Sequence, residues 1–211
     1  TIHCFWTPFA QDNRIENSSC ISATQHGFVI GGFRFNLTNN NATTSQYGFY
    51  FEQKSGSQGA NILQNNTAAD STFDGFLIEQ ANNTLINNSA LRSGVNGIRF
   101  TFSDNNSINN TNITNAGGAQ RGINLTGTNN TKIYNFSVYN SFVSVDVGLS
   151  ENVTINNGNI NTNGDRAVMF SNGARYNLIT NVNISFTGVH GVWTDNDLSF
   201  IELEKCTLSE T

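Results

Sequence analysis

The chain has 211 residues, only 12% of them charged, with a formal net charge of -5. Its ten Lys and Arg are scattered and build no basic face, which argues against nucleic acid as a partner. No run approaches the eighteen or so apolar residues of a membrane span, and Thr1 to Phe9 lack both a basic start and an apolar stretch, so the sequence reads as a mature or excised soluble piece.

In chain order, residues 1–27 carry Trp6, Pro8, Phe9 and two of the three cysteines, and are expected to cap the first coil with the help of a Cys4–Cys20 disulfide. Residues 28–211 then repeat. A degenerate copy, Ile30-Gly32-Phe35, leads into a strand over Tyr47 to Phe51 with Phe49 and Phe51 inward. After it, an apolar residue, an Asn two places on and an apolar residue three further recur as Leu63-Asn65-Ala68, Ile86-Asn88-Leu91, Ile108-Asn110-Ile113, Ile133-Asn135-Val138, Ile155-Asn157-Ile160 and Ile179-Asn181-Ile184. The steps are 23, 22, 25, 22 and 24 residues, and Leu203-Lys205-Leu208 closes the series. Ahead of each copy lies a second alternation: Phe76-Ile78, Ile98-Phe100, Ile123-Leu125, Val143-Val145, Val168-Phe170, and Val192 beside Trp193. Cys206 falls at the phase of inward Phe136 and Val182, which predicts a buried small side chain.

Two short strands in a repeat of roughly 23 residues leave no room for a crossover helix, and no helical stripe appears. The expected fold is all-β: a single-stranded right-handed parallel β-helix, a solenoid of about eight coils with an internal Asn ladder. The ladder is assigned to Asn65, Asn88, Asn110, Asn135, Asn157 and Asn181. Each stands at a bend, where Asn tolerates left-handed backbone and stacked amides satisfy one another along the axis.

The runs Asn82-Asn83-Thr84-Leu85-Ile86-Asn87-Asn88 and Asn105 to Ile113 resemble the pectin-lyase-like superfamily. Its NosD-like and carbohydrate-binding sugar-hydrolase-type short coils are the most similar, over residues 27 to 208. The resemblance implies the fold and leaves function open, because the superfamily holds lyases, hydrolases, phage spikes, adhesins and surface-layer proteins. A polysaccharide-cleaving member needs clustered carboxylates on adjacent rungs, or Ca²⁺-binding aspartates with a basic residue. Asp104, Asp146 and Asp165 fall at different phases and are not expected to share a face. The candidates that remain for proton transfer or sugar binding are Asp165, Arg166, His190 and Asp195, with Asp197 close by, since Arg166 and His190 stack one coil apart. The copper handling implied by the NosD-like resemblance needs clustered His, Met or Cys, and three dispersed His with one Met do not supply them. No metal or other cofactor is expected. Tyr134 and Tyr139 are expected to expose rings able to stack on sugars.

Fourteen Asn-x-Ser/Thr sequons run along the chain. Asn36, Asn41, Asn87, Asn109, Asn112, Asn124 and Asn183 are expected to carry sugar, and Asn65 and Asn135, as ladder residues, to stay bare. The combined expectation is an extracellular, N-glycosylated structural protein of a cell surface, sheath, fibre or filament that self-associates, with end-to-end joining as one mode. Its alternatives are a carbohydrate-active enzyme or tailspike-like depolymerase, and a passive glycan-binding adhesin.

Overall fold

A computed structural model of the protein describes residues 2–53, 59–114, 120–162, 164–195 and 199–210. The elements in it are parallel-paired β-strands wound into a right-handed solenoid. Each rung gives one strand to a nine-stranded sheet, here sheet 1, which runs from His3–Thr7 to His190–Thr194. The same rung gives two short strands, on either side of a bend, to a fifteen-stranded sheet 2. In the later rungs these two merge through the bend into single strands such as Lys132–Tyr139 and Arg175–Phe186.

Alternation along sheet 1 explains the interior. Every second side chain turns inward and meets its counterpart one rung away. Phe5, Phe28, Phe49 and Phe76 stack with centroids 4.8 to 4.9 Å apart, and Ile98, Ile123, Val145 and Val168 continue their column. A second column holds Ile30, Phe51, Ile78, Phe100, Leu125, Val147 and Phe170, all buried. Beside the first column runs a line of glycines. A Cβ on Gly97 would come within 2.5 Å of Ile113 Cγ2 and 2.7 Å of the Gly122 carbonyl, so the coil closes only where that position is very small.

The two ends of the repeat differ from the sequence reading. Within residues 2–27, expected to cap the first coil, His3–Thr7, Arg14–Glu16 and Ser19–Ile21 pair in parallel with the next rung and form a coil of their own. Cys4 and Cys20 are disulfide-bonded across its interior with Cα atoms 5.7 Å apart. They occupy the places that Gly27 and Ala42 hold one rung later. Cys206 is a half-buried free thiol packed against the Ile179 carbonyl of the rung before.

The asparagine ladder exists one residue away from where it was expected. Asn65, Asn110, Asn135, Asn157 and Asn181 do occupy bends with φ between 51° and 56°. A residue in that conformation on a convex corner projects away from the coil, and all five are exposed. The next residue turns back inside. Asn40, Asn66 and Asn88 form one buried column, in which Asn66 Oδ1 accepts from the main-chain N–H and Nδ2 of Asn40, and Asn88 Oδ1 from those of Asn66, at 2.9 to 3.1 Å. Asn61, Asn83 and Asn106 form a second at the neighbouring bend. Asn88 is interior as expected, but only because its copy is displaced by one residue: the register pairs Leu63 with Leu85, so Leu85-Asn87-Ala90 is the true copy. Ile30-Gly32-Phe35 is likewise displaced, since Leu37 and Ala42 hold the equivalent positions.

Candidate functional site

The outward residues of sheet 1 have a different chemistry from the rest of the surface. Sheet 2 presents mainly Asn, Ser and Thr between its rungs. Sheet 1 presents one outward column of His3, His26, Tyr47, Asp74, Asn96, Arg121, Val143, Arg166 and His190. Beside it runs a second, from Trp6 and Val29 through Tyr50, Leu77, Arg99, Asn124, Asp146 and Met169 to Trp193. Opposed charges and aromatic rings therefore gather on one face.

On rungs 3 to 5 the centre of this face is Asp74, only 1% exposed. Asn96 Nδ2 donates to its Oδ1 at 2.6 Å, and Arg99 Nη2 forms an ion pair with its Oδ2 at 2.9 Å. Asn124 Nδ2 in turn donates to Asn96 Oδ1 at 3.2 Å. Burial pushes the Asp74 carboxyl above the usual carboxylate range, and Arg99 and Asn96 oppose that rise. The buried acid thus anchors Arg99, whose side chain remains partly open to solvent. Rings flank it. Tyr47 and Tyr50 lie 5.6 Å apart, His26 is 5.0 Å from Tyr47 and 5.6 Å from Tyr50, and Tyr50 Oη donates to Glu79 at 3.0 Å. Burial raises both phenol pKa values, and for Tyr50 the Glu79 charge adds to it. Burial, with the His3 charge behind it, lowers that of His26, so its imidazole is neutral near pH 7.

On rungs 6 to 9 a second cluster stands on the same face. Arg121 Nε donates to Asp146 Oδ2 at 2.6 Å, and burial raises the Asp146 carboxyl against the pull of Arg121 and Arg166. Arg166 pairs with Asp165 at 2.5 Å and lies 4.5 Å over the Trp193 ring.

Of the residues singled out in the sequence, Arg166 and His190 are indeed neighbours on adjacent strands, and Asp165 joins them. Asp195 follows the last residue of the strand His190–Thr194, away from this cluster's start, and its carboxylate accepts from the Asn172 main-chain N–H. Asp197 lies outside the described residues. The expectation that Asp146 and Asp165 occupy different faces is corrected, because both hold arginines of this one cluster. Asp104 is elsewhere, accepting from Asn129 N–H in a turn. Tyr139 is exposed, while Tyr134 is half-buried and bonded to Ser107. Asn41, Asn87, Asn112 and Asn183 are exposed sequon positions, whereas Asn36, Asn109 and Asn124 are half-buried. Asn65 and Asn135 are exposed too, so the steric reason for leaving them bare does not hold.

The sequence reading missed Tyr47, Asp74, Arg99, Arg121 and Asp146 as a group. The signal was present in the outward residues between and just before the inward pairs, as in Tyr47-Gly48-Phe49-Tyr50-Phe51 and Asn96-Gly97-Ile98-Arg99-Phe100.

The family model described as periplasmic copper-binding protein (NosD) matches residues 5–120. No curated protein matches the chain. Among solved structures, the A-module of the Azotobacter vinelandii mannuronan C-5 epimerase AlgE4 is similar at a TM-score of 0.78 and 15% identity, over 94% of this chain and 63% of that one. The periplasmic alginate epimerase AlgG is similar at 0.65 and 13%, over 98% and 47%. Tailspike protein 2 of the Escherichia coli O157:H7 bacteriophage CAB120 is similar at 0.68 and 11%, over 96% and 35%. At these identities the likeness is one of fold, and the chain spans less than two thirds of each structure's length.

Proposed function

Because the chain belongs to the NosD family, whose model covers more than half of it, we propose that it is a carbohydrate-active β-helix of the periplasm or cell surface. Its sheet 1 face takes an acidic polysaccharide. The observation that carries this reading is the buried Asp74 holding Arg99 on the same outward face as Tyr47 and Tyr50. An anchored guanidinium suits a sugar carboxylate, and flanking rings suit the apolar faces of pyranoses. The similarity in fold to two epimerases and a tailspike supports it, and the Cys4–Cys20 disulfide fits an oxidising compartment.

The chemistry this arrangement serves is proton transfer at the carbon next to the carboxylate. Arg99 neutralises the carboxylate, which makes that C–H more acidic. His26, neutral through burial, accepts the proton, and Tyr47, kept as a phenol, returns one. The test is solvent exchange: mannuronan and polygalacturonate are incubated with the protein in D₂O and deuterium at C-5 is read by NMR. Incorporation that is lost in His26→Gln and Arg99→Gln supports the reading. Absence of both exchange and binding with the wild-type protein overturns it.

The family description names copper, and the described residues do not fit such a centre. Among them no three His, Cys, Asp or Glu side chains come together to hold a metal ion. His3 and His26 stack at 5.0 Å without a third ligand, and Cys4 is locked in its disulfide. A second reading, the glycosylated surface rod, draws on the exposed sequon residues Asn41, Asn87, Asn112 and Asn183. Glycopeptide mass spectrometry and micrographs of native material test it: bare sites and single particles would remove its support.

A further inference from the structure

In the outward column of sheet 1, Arg121, Val143 and Arg166 stand on successive rungs. The short valine between two long side chains leaves a gap, and a cavity of about 150 Å³ opens there, lined by Gln120, Arg121, Phe142, Val143, Arg166 and Met169. Both guanidiniums are held in place: Arg121 by Asp146, and Arg166 by Asp165 on one side and by the Trp193 ring below. On Arg166 the Asp165 carboxylate and the Met169 sulfur both meet Nη1, which is only part of a five-donor fork.

Two buried atoms of this lining have no hydrogen-bond partner, the donor Arg166 Nε and the acceptor Gln120 Oε1. Such atoms are costly to leave unsatisfied. A ligand that relieves both must bring an acceptor and a hydroxyl together. A uronic acid unit does so, with its carboxylate next to ring hydroxyls. Acetate or sulfate brings no donor, and a neutral sugar brings no charge for the arginines.

We propose that this cavity is a second subsite for a uronate unit of the same polymer, an assignment that rests on the acidic-polysaccharide reading above. Val143 lies two rungs beyond Arg99, roughly 10 Å along the axis at the spacing of paired strands. One chain running along the solenoid therefore reaches both sites, and the second contact forms at high effective concentration.

Calorimetric titration with oligouronates of increasing length, against matched neutral oligosaccharides, tests this. For the wild-type protein, affinity should rise at least about tenfold once the oligomer spans both sites. Arg166→Gln should flatten that rise while leaving the shortest oligomers unaffected, and Arg99→Gln should weaken short and long alike. Val143→Phe fills the gap from the outward face with both arginines kept, and should also flatten the rise. Length dependence retained in both Arg166→Gln and Val143→Phe overturns the second subsite and leaves the Arg99 reading standing. Equal binding of neutral oligomers overturns the uronate assignment. Failure of the wild-type protein to bind any oligouronate removes both readings together.

Discussion

Replacing Asn88 by Ala should be far more damaging than replacing its neighbour Asn87, although both belong to the same Asn-Asn pair. Asn88 is fully buried. Its Oδ1 accepts from Asn66 N–H at 2.9 Å and Asn66 Nδ2 at 3.1 Å, and its Nδ2 donates to the Leu63 carbonyl at 2.8 Å. Alanine removes all of these. Asn66 Nδ2 keeps its bond to the Leu37 carbonyl and Leu63 C=O keeps the ladder bond implied by its pairing, so the main-chain Asn66 N–H is the group left without a partner. The orphaned N–H costs about 1 to 3 kcal/mol and the lost Nδ2 bond about 1 kcal/mol more. Asn87 is exposed at φ 54°, so Asn87→Ala should cost only the left-handed preference, about 1 kcal/mol, and Asn87→Gly close to nothing. Urea unfolding followed by circular dichroism measures the totals. Native-state hydrogen exchange should place the Asn88→Ala loss at Asn66 and the rungs on either side, since a solenoid couples mainly to its neighbours. A cost at Asn87 equal to or above that at Asn88 would refute the inward assignment and the two buried columns with it.

Gly97→Ala forces a Cβ against Ile113 and the Gly122 carbonyl, and thermal melts should show about 1 to 3 kcal/mol of destabilisation. Asp74 binds its proton more tightly folded than unfolded. Its contribution is therefore full below pH 3.8 and lost as pH rises through the folded value. Denaturation of wild type and Asp74→Asn across that range should show the difference shrinking and then reversing in favour of the variant as pH rises; a difference that grows in favour of wild type would contradict it. His26 has the opposite sign. Its folded pKa is lowered, so its contribution is present above pH 6.5 and lost as pH falls through the folded value, and His26→Gln should abolish that acid-side loss in the same titration. Glycopeptide mapping of native material should find sugar at Asn41, Asn87, Asn112 or Asn183 before Asn36, Asn109 or Asn124, because the latter are half-buried.

The solenoid was legible in the sequence because inward packing imposes the same demand on every rung. Ile108, Ile133, Ile155 and Ile179 recur at near-constant spacing, and each must fit the one before. The left-handed bends were legible for a similar reason, since few residue types other than Asn and Gly accept them readily and Asn65, Asn110, Asn135, Asn157 and Asn181 recur there. Which of two adjacent asparagines turns inside was not legible. Asn87 and Asn88 are chemically identical, and only the pairing of Leu85 with Leu63 and Ile108 separates them. The face of sheet 1 was hidden for a deeper reason. Outward side chains need not repeat, so Asp74 with Arg99 and Arg121 with Asp146 carry no period of their own. They meet because stacking brings residues 25 positions apart onto adjacent rungs, and burial among their neighbours then sets the charge state of each acid.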